Sequence, residues 1–254
     1  MNKNTQSRTS SKTDFEVRKK NEIAHGEKIA QGESEAIWGW GSLAGKIRAE
    51  RRAQLIAEGA GLAKGMRVLE IGCGTGNFTE KFAKYGADIL ACDLSPHLLE
   101  KAKKRDFGKA EVCFICSPFE ECGTDGAFDA IIGSSILHHL EIEQAFPKIH
   151  ELLKPGGKIA FAEPNMLNPQ IFIERRFRHL FSHISENETA FVHSSLKKTL
   201  QGVGFNKIDI TPFDWLHPAT PESLIGFVSS LGKCIEHTPV LRQFSGSLLI
   251  VAEK

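Results

Sequence analysis

Ten residues constrain this chain more than any others: Val68-Leu69-Glu70-Ile71-Gly72-Cys73-Gly74-Thr75-Gly76-Asn77. Val68 to Ile71 reads as a short buried strand. Three glycines at alternate positions follow, and a new amphipathic segment opens at Phe78. Alternate glycines let the backbone turn tightly and leave no Cβ between the turn and a ligand. A helix starting directly behind them presents unpaired N–H groups. The stretch predicts a nucleotide-type site at a strand-to-helix turn of an α/β domain.

The spacing narrows the ligand. The dinucleotide fingerprint runs G-x-G-x-x-G, with its pyrophosphate on the helix N-terminus. Here the third glycine falls one position early, and Asn77 stands where the fingerprint has Gly or Ala. Glu70, two residues before the first glycine, would repel a pyrophosphate and suit a cation. The stretch resembles the first motif of the class I S-adenosylmethionine-dependent methyltransferases, in its E-x-G-x-G-x-G form. S-adenosylmethionine carries an ammonium and a sulfonium and no phosphate. The resemblance implies an α/β fold with a doubly wound, Rossmann-like sheet of about seven strands, the last antiparallel, with helices on both faces and inserted lid helices. It implies S-adenosylmethionine as cofactor, with in-line displacement at the sulfonium methyl giving S-adenosylhomocysteine. It covers about residues 62–254, apart from two insertions.

Composition sets outer bounds. The 254 residues are 41% hydrophobic and 25% charged, ordinary for a soluble globular chain. A formal net charge of +1 offers no global field for nucleic acid. No apolar run has the length of a membrane span, and residues 1–12 lack the apolar region of a secretory signal. Cys73, Cys92, Cys113 and Cys116 sit in apolar, strand-like runs, which predicts reduced, buried thiols and a cytoplasmic setting. Cys113 and Cys116 have C-x-x-C spacing, but no second pair accompanies them, so no metal site is expected.

Residues 1–14 are polar and are expected to be disordered. Residues 15–61 form an N-terminal helical cap in this reading. Within it Ile37-Trp38-Gly39-Trp40-Gly41 holds two of the three tryptophans, with glycines that allow a bend over a cleft. A helix over 43–58 would bury Leu43, Ile47, Gln54 and Leu55 and turn Lys46, Arg48, Arg51 and Arg52 to solvent, although one of these arginines is a candidate for the cofactor carboxylate. Residues 62–254 then alternate. Strands are predicted at 66–71, 88–93, 111–116, 128–133, 158–162, 205–212 and 246–252, and helices at 77–85, 95–105, 141–153 and 196–201. Ser95-Pro96 is a helix start, with a Ser cap and Pro in the first turn. Insertions fall at 164–194 and 214–245.

Further site residues follow from the resemblance. Asp93, at the end of the second strand, would accept both ribose hydroxyls, and Leu94 would pack on the adenine. Ser117-Pro118-Phe119 follows the third strand; many family members have Asp where Ser117 stands, and a serine hydroxyl can still bond the adenine edge. With Glu70, Gly72, Cys73, Gly74, Gly76 and Asn77 these complete the expected cofactor contacts, and Ser134 would offer its backbone carbonyl to the ammonium. Gly133-Ser134-Ser135-Ile136-Leu137-His138-His139-Leu140 lacks the Asn/Asp-Pro-Pro-Tyr of nucleobase and amino methyltransferases. Its Leu-His-His-Leu resembles small-molecule enzymes. His138 or His139 is a candidate general base, against the more common role of a histidine that packs and hydrogen-bonds beside the cleft. His193 and His217 are not ranked against them.

The insertions should meet the acceptor. Ile173, Phe177, Leu180, Phe181 and Ile184 form one apolar stripe with arginines between them; Leu224, Phe227, Val228, Leu231 and Ile235 form another. These patterns fit a lid, or peripheral contact with a membrane surface. The expected activity is methyl transfer to an oxygen of a small or lipid-linked organic acceptor, with no nucleic-acid partner. Two alternatives stand: a catalytically silent cofactor-binding scaffold, and an NAD-dependent oxidoreductase, which Glu70 and Asn77 disfavour. The oligomeric state is not legible.

Overall fold

The computed structural model describes residues 4–123, 127–177 and 191–254, with side chains from residue 16 onward. Three helices come first: α1 (Asn4–Ala30), α2 (Ser34–Ile37) and α3 (Leu43–Ala60). The alternating core follows as β1 (Arg67–Ile71), α4 (Asn77–Ala83), β2 (Asp88–Asp93), α5 (Pro96–Ala102), β3 (Val112–Cys116), β4 (Phe128–Ser134), α6 (Ile142–Leu152) and β5 (Leu153–Pro164). The remainder is α7 (Pro169–Arg176), α8 (His193–Val203), β6 (Asn206–Phe213), α9 (Ile225–Glu236) and β7 (Ser247–Glu253). The strands form one sheet in the order β3-β2-β1-β4-β5-β7-β6, with β7 antiparallel to both neighbours. This is the doubly wound, Rossmann-like arrangement expected from the sequence.

The strands alternate their side chains between two apolar layers. Leu69, Ile131, Ile159 and Phe161 pack with Phe146, Ile149, Leu196 and Leu200 on one face. Val68, Ala130, Ile132 and Ala160 pack with Ile56, Phe82 and Leu99 on the other. Reversal of strand order at β1 and β4 leaves a crevice at the C-terminal ends of these strands, where open α/β sheets bind ligands.

Three expectations need correction. Helix α1 begins at Asn4 and so takes in most of the stretch read as disordered. No Gly or Pro interrupts residues 4–25, so nothing in the chain stops the helix. Helix α3 is rotated from its expected setting. Leu43 and Ile47 are exposed, while Ala44, Gly45, Ala49, Arg52, Ala53, Ile56, Ala57 and Ala60 are buried. The small residues let this helix lie close on the sheet; a Cβ on Gly59 would stand 2.6 Å from Val251 Cγ2. Finally, Cys113 and Cys116 are exposed, because β3 is an edge strand, whereas Cys73, Cys92 and Cys122 are buried.

Gly39 turns the chain at φ +77°, and Ser42 caps α3 by accepting the Gly45 N–H at 3.0 Å. A Cβ on Gly45 would overlap the Gly39 carbonyl oxygen. Gly45→Ala is therefore expected to destabilise the fold by roughly 1 to 3 kcal/mol, lowering Tm by about 2 to 4 °C per kcal/mol. Gly226→Ala, in α9 with open space around it, serves as the control and should leave Tm unchanged or slightly raised. Equal Tm for both variants would refute this account of the junction.

Candidate functional site

The strand-to-helix turn is held by its neighbour strand. Gly72, Gly74 and Gly76 have φ of +69°, +52° and +75°, a region that costs other residues strain. The N–H groups of Gly72 and Cys73 donate to the Cys92 carbonyl at 2.8 and 3.1 Å. Asp93 then accepts the Gly74 N–H at 2.8 Å through one carboxylate oxygen and the Ser95 N–H at 2.9 Å through the other. Ser95 in turn caps α5. Burial pushes the Asp93 carboxyl above its ordinary value, and these two N–H groups pull it partly back. Asp93 thus braces the turn as well as lining the crevice.

Above this turn lies a cavity of about 370 Å³. Gly72, Cys73, Gly74, Asn77, Asp93, Leu94, Ser134, His138 and His139 all line it, and α1 and the Trp38–Trp40 segment roof it. The absent Cβ of Gly74 would meet the Trp38 ring at 3.3 Å, so the bare glycine keeps the space between them open. A side cavity of about 50 Å³ adjoins Asp93 and Leu94 and is lined by Ser117, Pro118 and Phe119, with Arg18 and Glu22 of α1 across from them. Asn77 Nδ2 and Ser134 Oγ are among the side-chain atoms of the main cavity wall that are buried without a hydrogen-bond partner. Such atoms normally find one. A polar, elongated ligand with hydroxyl, amine and carboxylate groups would satisfy them, and S-adenosylmethionine fits that description.

Glu70 and Gly76 line neither cavity. Glu70 lies under the turn, 1% exposed, with Oε2 unpartnered. Burial pushes its carboxyl up to about 8, against a lowering contribution from Thr79 and a raising one from Asp93. The sequence reading treated Glu70 as a carboxylate facing a cationic ligand; the structure places it as a buried, protonated acid behind the turn.

The two histidines differ in their partners. His138 Nδ1 lies 2.6 Å from Glu163 Oε2, while Glu163 Oε1 accepts the Ile136 and Leu137 N–H groups at 2.9 and 2.8 Å. Burial would raise Glu163, but the His138 ring and these N–H groups hold it below the usual carboxylate value. An ionised Glu163 accepts the Nδ1 proton, and in that tautomer Nε2 carries the lone pair. His139 stacks on His138 with centroids 4.2 Å apart and faces Glu22 of α1 at 3.3 Å. Glu163 was missed from sequence. Its signal was an acid ending the apolar run Ile159-Ala160-Phe161-Ala162, directly before Pro164.

The insertions sit differently from expectation. Leu180, Phe181 and Ile184 lie outside the described residues. On α7 the cavity is met by Ile171, Glu174 and Arg175, while Ile173 and Phe177 are exposed. On α9, Phe227 is 67% exposed and Leu231 also faces outward, as does Leu224 just before the helix; Ile225 packs on Ala44 and Leu216 instead. Helix α7 has no fully buried residue, and α9 buries only Ile225 and Gly232. His217 belongs to the outer vestibule, bonded to Gln170 and the Ala219 N–H, and His193 lines no described cavity. Arg48 is not solvated: it makes a fork to Asp214 at 2.7 to 3.2 Å. Arg51 pairs with Glu236, and Arg52 is buried in the cavity wall. None of the described helices is long and apolar enough to cross a membrane.

Residues 69–161 match the family model described as a methyltransferase domain. The demethylmenaquinone methyltransferase of Renibacterium salmoninarum is 34% identical over 125 residues, covering 47% of this chain and 49% of that protein. The ubiquinone biosynthesis O-methyltransferase of Coxiella burnetii is 29% identical over 167 residues, covering 63% and 71%. The chain therefore spans about half the length of the first of these relatives. Among solved structures, the N-methyltransferase NodS from Bradyrhizobium japonicum, in complex with S-adenosylhomocysteine, superposes with a TM-score of 0.63 at 16% identity, covering 92% of this chain and 98% of that one. Residues 69–161 therefore carry a methyltransferase domain, and the chain shares the fold of solved S-adenosylmethionine-dependent methyltransferases.

The buried acid under the turn sets a pH dependence. The folded chain keeps the Glu70 proton up to about pH 8, whereas the unfolded chain releases it near pH ~4.3. The folded state binds more protons in that window, so this group's stabilisation is full at low pH and is lost as pH rises toward 8. Glu70→Gln removes the titration. The variant should match the parent near pH 5 and exceed it at pH 8 by on the order of a few kcal/mol, read by urea unfolding at both values. No relative gain between the two would show that Glu70 is ionised in the fold.

Proposed function

We propose that this protein transfers a methyl group from S-adenosylmethionine to a hydroxyl oxygen of a small or lipid-linked organic acceptor. One observation carries the reading: a single cavity joins the glycine turn and Asp93 on one side to a histidine backed by a buried carboxylate, His138–Glu163, on the other. The O-methyltransferase and demethylmenaquinone methyltransferase among its relatives support an organic acceptor.

When bound, the cofactor supplies an electrophilic methyl on sulfur. The chain supplies position and proton management. In this reading Asp93 accepts the ribose hydroxyls, Leu94, Ser117, Pro118 and Phe119 enclose the adenine, and the Ser134 carbonyl accepts the ammonium. Cys73, Gly74 and Asn77 line the methionine end. Trp38, Trp40 and α1 exclude water, which strengthens each of these interactions. His138 takes the acceptor proton at Nε2, and Glu163 holds the ring and stabilises the imidazolium that results. Removal of a base of this kind typically costs about 10² to 10⁴ in rate. Positioning contributes up to ~7 to 11 kcal/mol.

Calorimetry tests the cofactor site. S-adenosylhomocysteine should bind in the micromolar range, about −8 kcal/mol, and Asp93→Ala should weaken it at least tenfold, since hydrogen bonds to an ionised acceptor are each worth about 1.5 to 3 kcal/mol. Tighter binding of NAD would overturn the assignment.

Methyl transfer to a phenolic acceptor tests the base. His138→Ala should lower kcat/KM by about 10² or more. Glu163→Gln should lower it less and move the acidic limb of the profile to lower pH, because the neutral amide no longer favours the protonated ring. An unmoved limb would make Glu163 a structural residue only.

A further inference from the structure

We propose that Arg52 anchors a carboxylate on the methyl acceptor, so that the substrate class is an organic acid bearing the methylated hydroxyl; this rests on the methyltransferase reading above. Arg52 is 3% exposed and lines the cavity. Its Nη2 donates to the Ser247 hydroxyl at 3.2 Å, while its Nε–H is buried and has no partner. Among the described residues it forms no ion pair. The nearby acids are already engaged. Asp214 is held in the fork of Arg48, and Glu163 by His138 and two N–H groups. Burial lowers the Arg52 guanidinium to about 10, still charged at neutral pH.

A buried, unneutralised cation is costly, so its position in a cavity wall marks a place where an anion completes it. The faces around it are aromatic: its guanidinium lies 5.6 Å from the Trp40 ring centroid and 5.8 Å from that of Phe213. A planar fork in a dry, aromatic setting suits a planar monoanion. Location separates this anion from the cofactor. Arg52 meets Ser247 and Phe213, the ends of β7 and β6. Those strands lie beyond β4 and β5, toward the opposite edge of the sheet from the β1 turn and Asp93 of β2. His138 follows β4, between the two regions.

The test titrates protein saturated with S-adenosylhomocysteine with matched probe pairs: benzoate against benzamide, 3,4-dihydroxybenzoate against catechol, and 3-phenylpropionate against its amide. The parent should bind the acids at least tenfold more tightly. Arg52→Met should abolish that preference, keep S-adenosylhomocysteine affinity within threefold, and raise Tm without ligand. Arg52→Lys should keep part of the preference. Failure of the parent to bind S-adenosylhomocysteine would sink the function reading itself. With that binding intact, absence of an acid preference in the parent overturns the proposal whether or not the variants fold. So does a preference that survives in Arg52→Met. A more than tenfold loss of S-adenosylhomocysteine affinity in Arg52→Met would assign the cation to the cofactor carboxylate and likewise overturn it.

Discussion

The bond from the Gly74 N–H to the Asp93 carboxylate is the constraint on which the site depends. The turn holds three residues at positive φ within five positions, and a segment so rich in glycine has the most conformational freedom to lose on folding. Asp93 and the Cys92 carbonyl fix it from the adjacent strand. The parallel register of β1 on β2, with Ile71 opposite Cys92, brings these partners level with the turn. Asp93 also fixes Ser95, which caps α5 and meets Gly26 of α1, where a Cβ would come within 2.8 Å of the Ser95 hydroxyl. One carboxylate therefore connects the floor of the cavity to its roof.

Charge is distributed across the cavity in the same orderly way. Two buried acids serve opposite ends. Glu70 has no cation beside it and stays protonated, because desolvation outweighs the lowering influence of the Thr79 hydroxyl. Glu163 is more completely buried, yet stays ionised because His138 and two N–H groups face it. The comparison shows that burial alone does not decide the state of a carboxyl; the donors that meet it do. The ionised acid stands behind a histidine, where a charge is useful, and the neutral one stands behind the turn, where a charge would have to be offset.

Much of the core was legible because its signals are local. The Gly72-x-Gly74-x-Gly76 spacing, the Ser95-Pro96 start and the apolar runs of β1, β2, β4 and β5 depend on a few adjacent residues, and the structure reproduces them within a few positions. The antiparallel β7 between β5 and β6 followed from family resemblance and not from pattern. What escaped was set by distant partners. Arg48 reads as a surface residue until Asp214, 166 positions away, is brought against it. Arg52 reads likewise until Ser247, 195 positions away, arrives. Helix α3 misled because its buried stripe is alanine, which carries little apolar weight in a periodicity count but permits close approach to the sheet. Glu163 was hidden because an acid closing an apolar run before a proline is a weak signal until a histidine faces it.

The N-terminal segment changes what the crevice can be. A doubly wound sheet alone leaves an open edge above β1 and β4, and an open edge is wet. Here Trp38, packed over Gly74, and α1, whose Glu22 meets His139, convert that edge into a chamber. Thr75 and Arg105 tie the cap down: Arg105 donates to the Thr75 carbonyl at 2.6 Å and pairs with Glu35 of α2 and Glu80 of α4. These ion pairs are partly exposed, and such pairs contribute about 0 to 1 kcal/mol each. The cap therefore rests mainly on buried apolar contacts, such as Trp40 packed edge-on against Phe78 with ring centroids 5.4 Å apart.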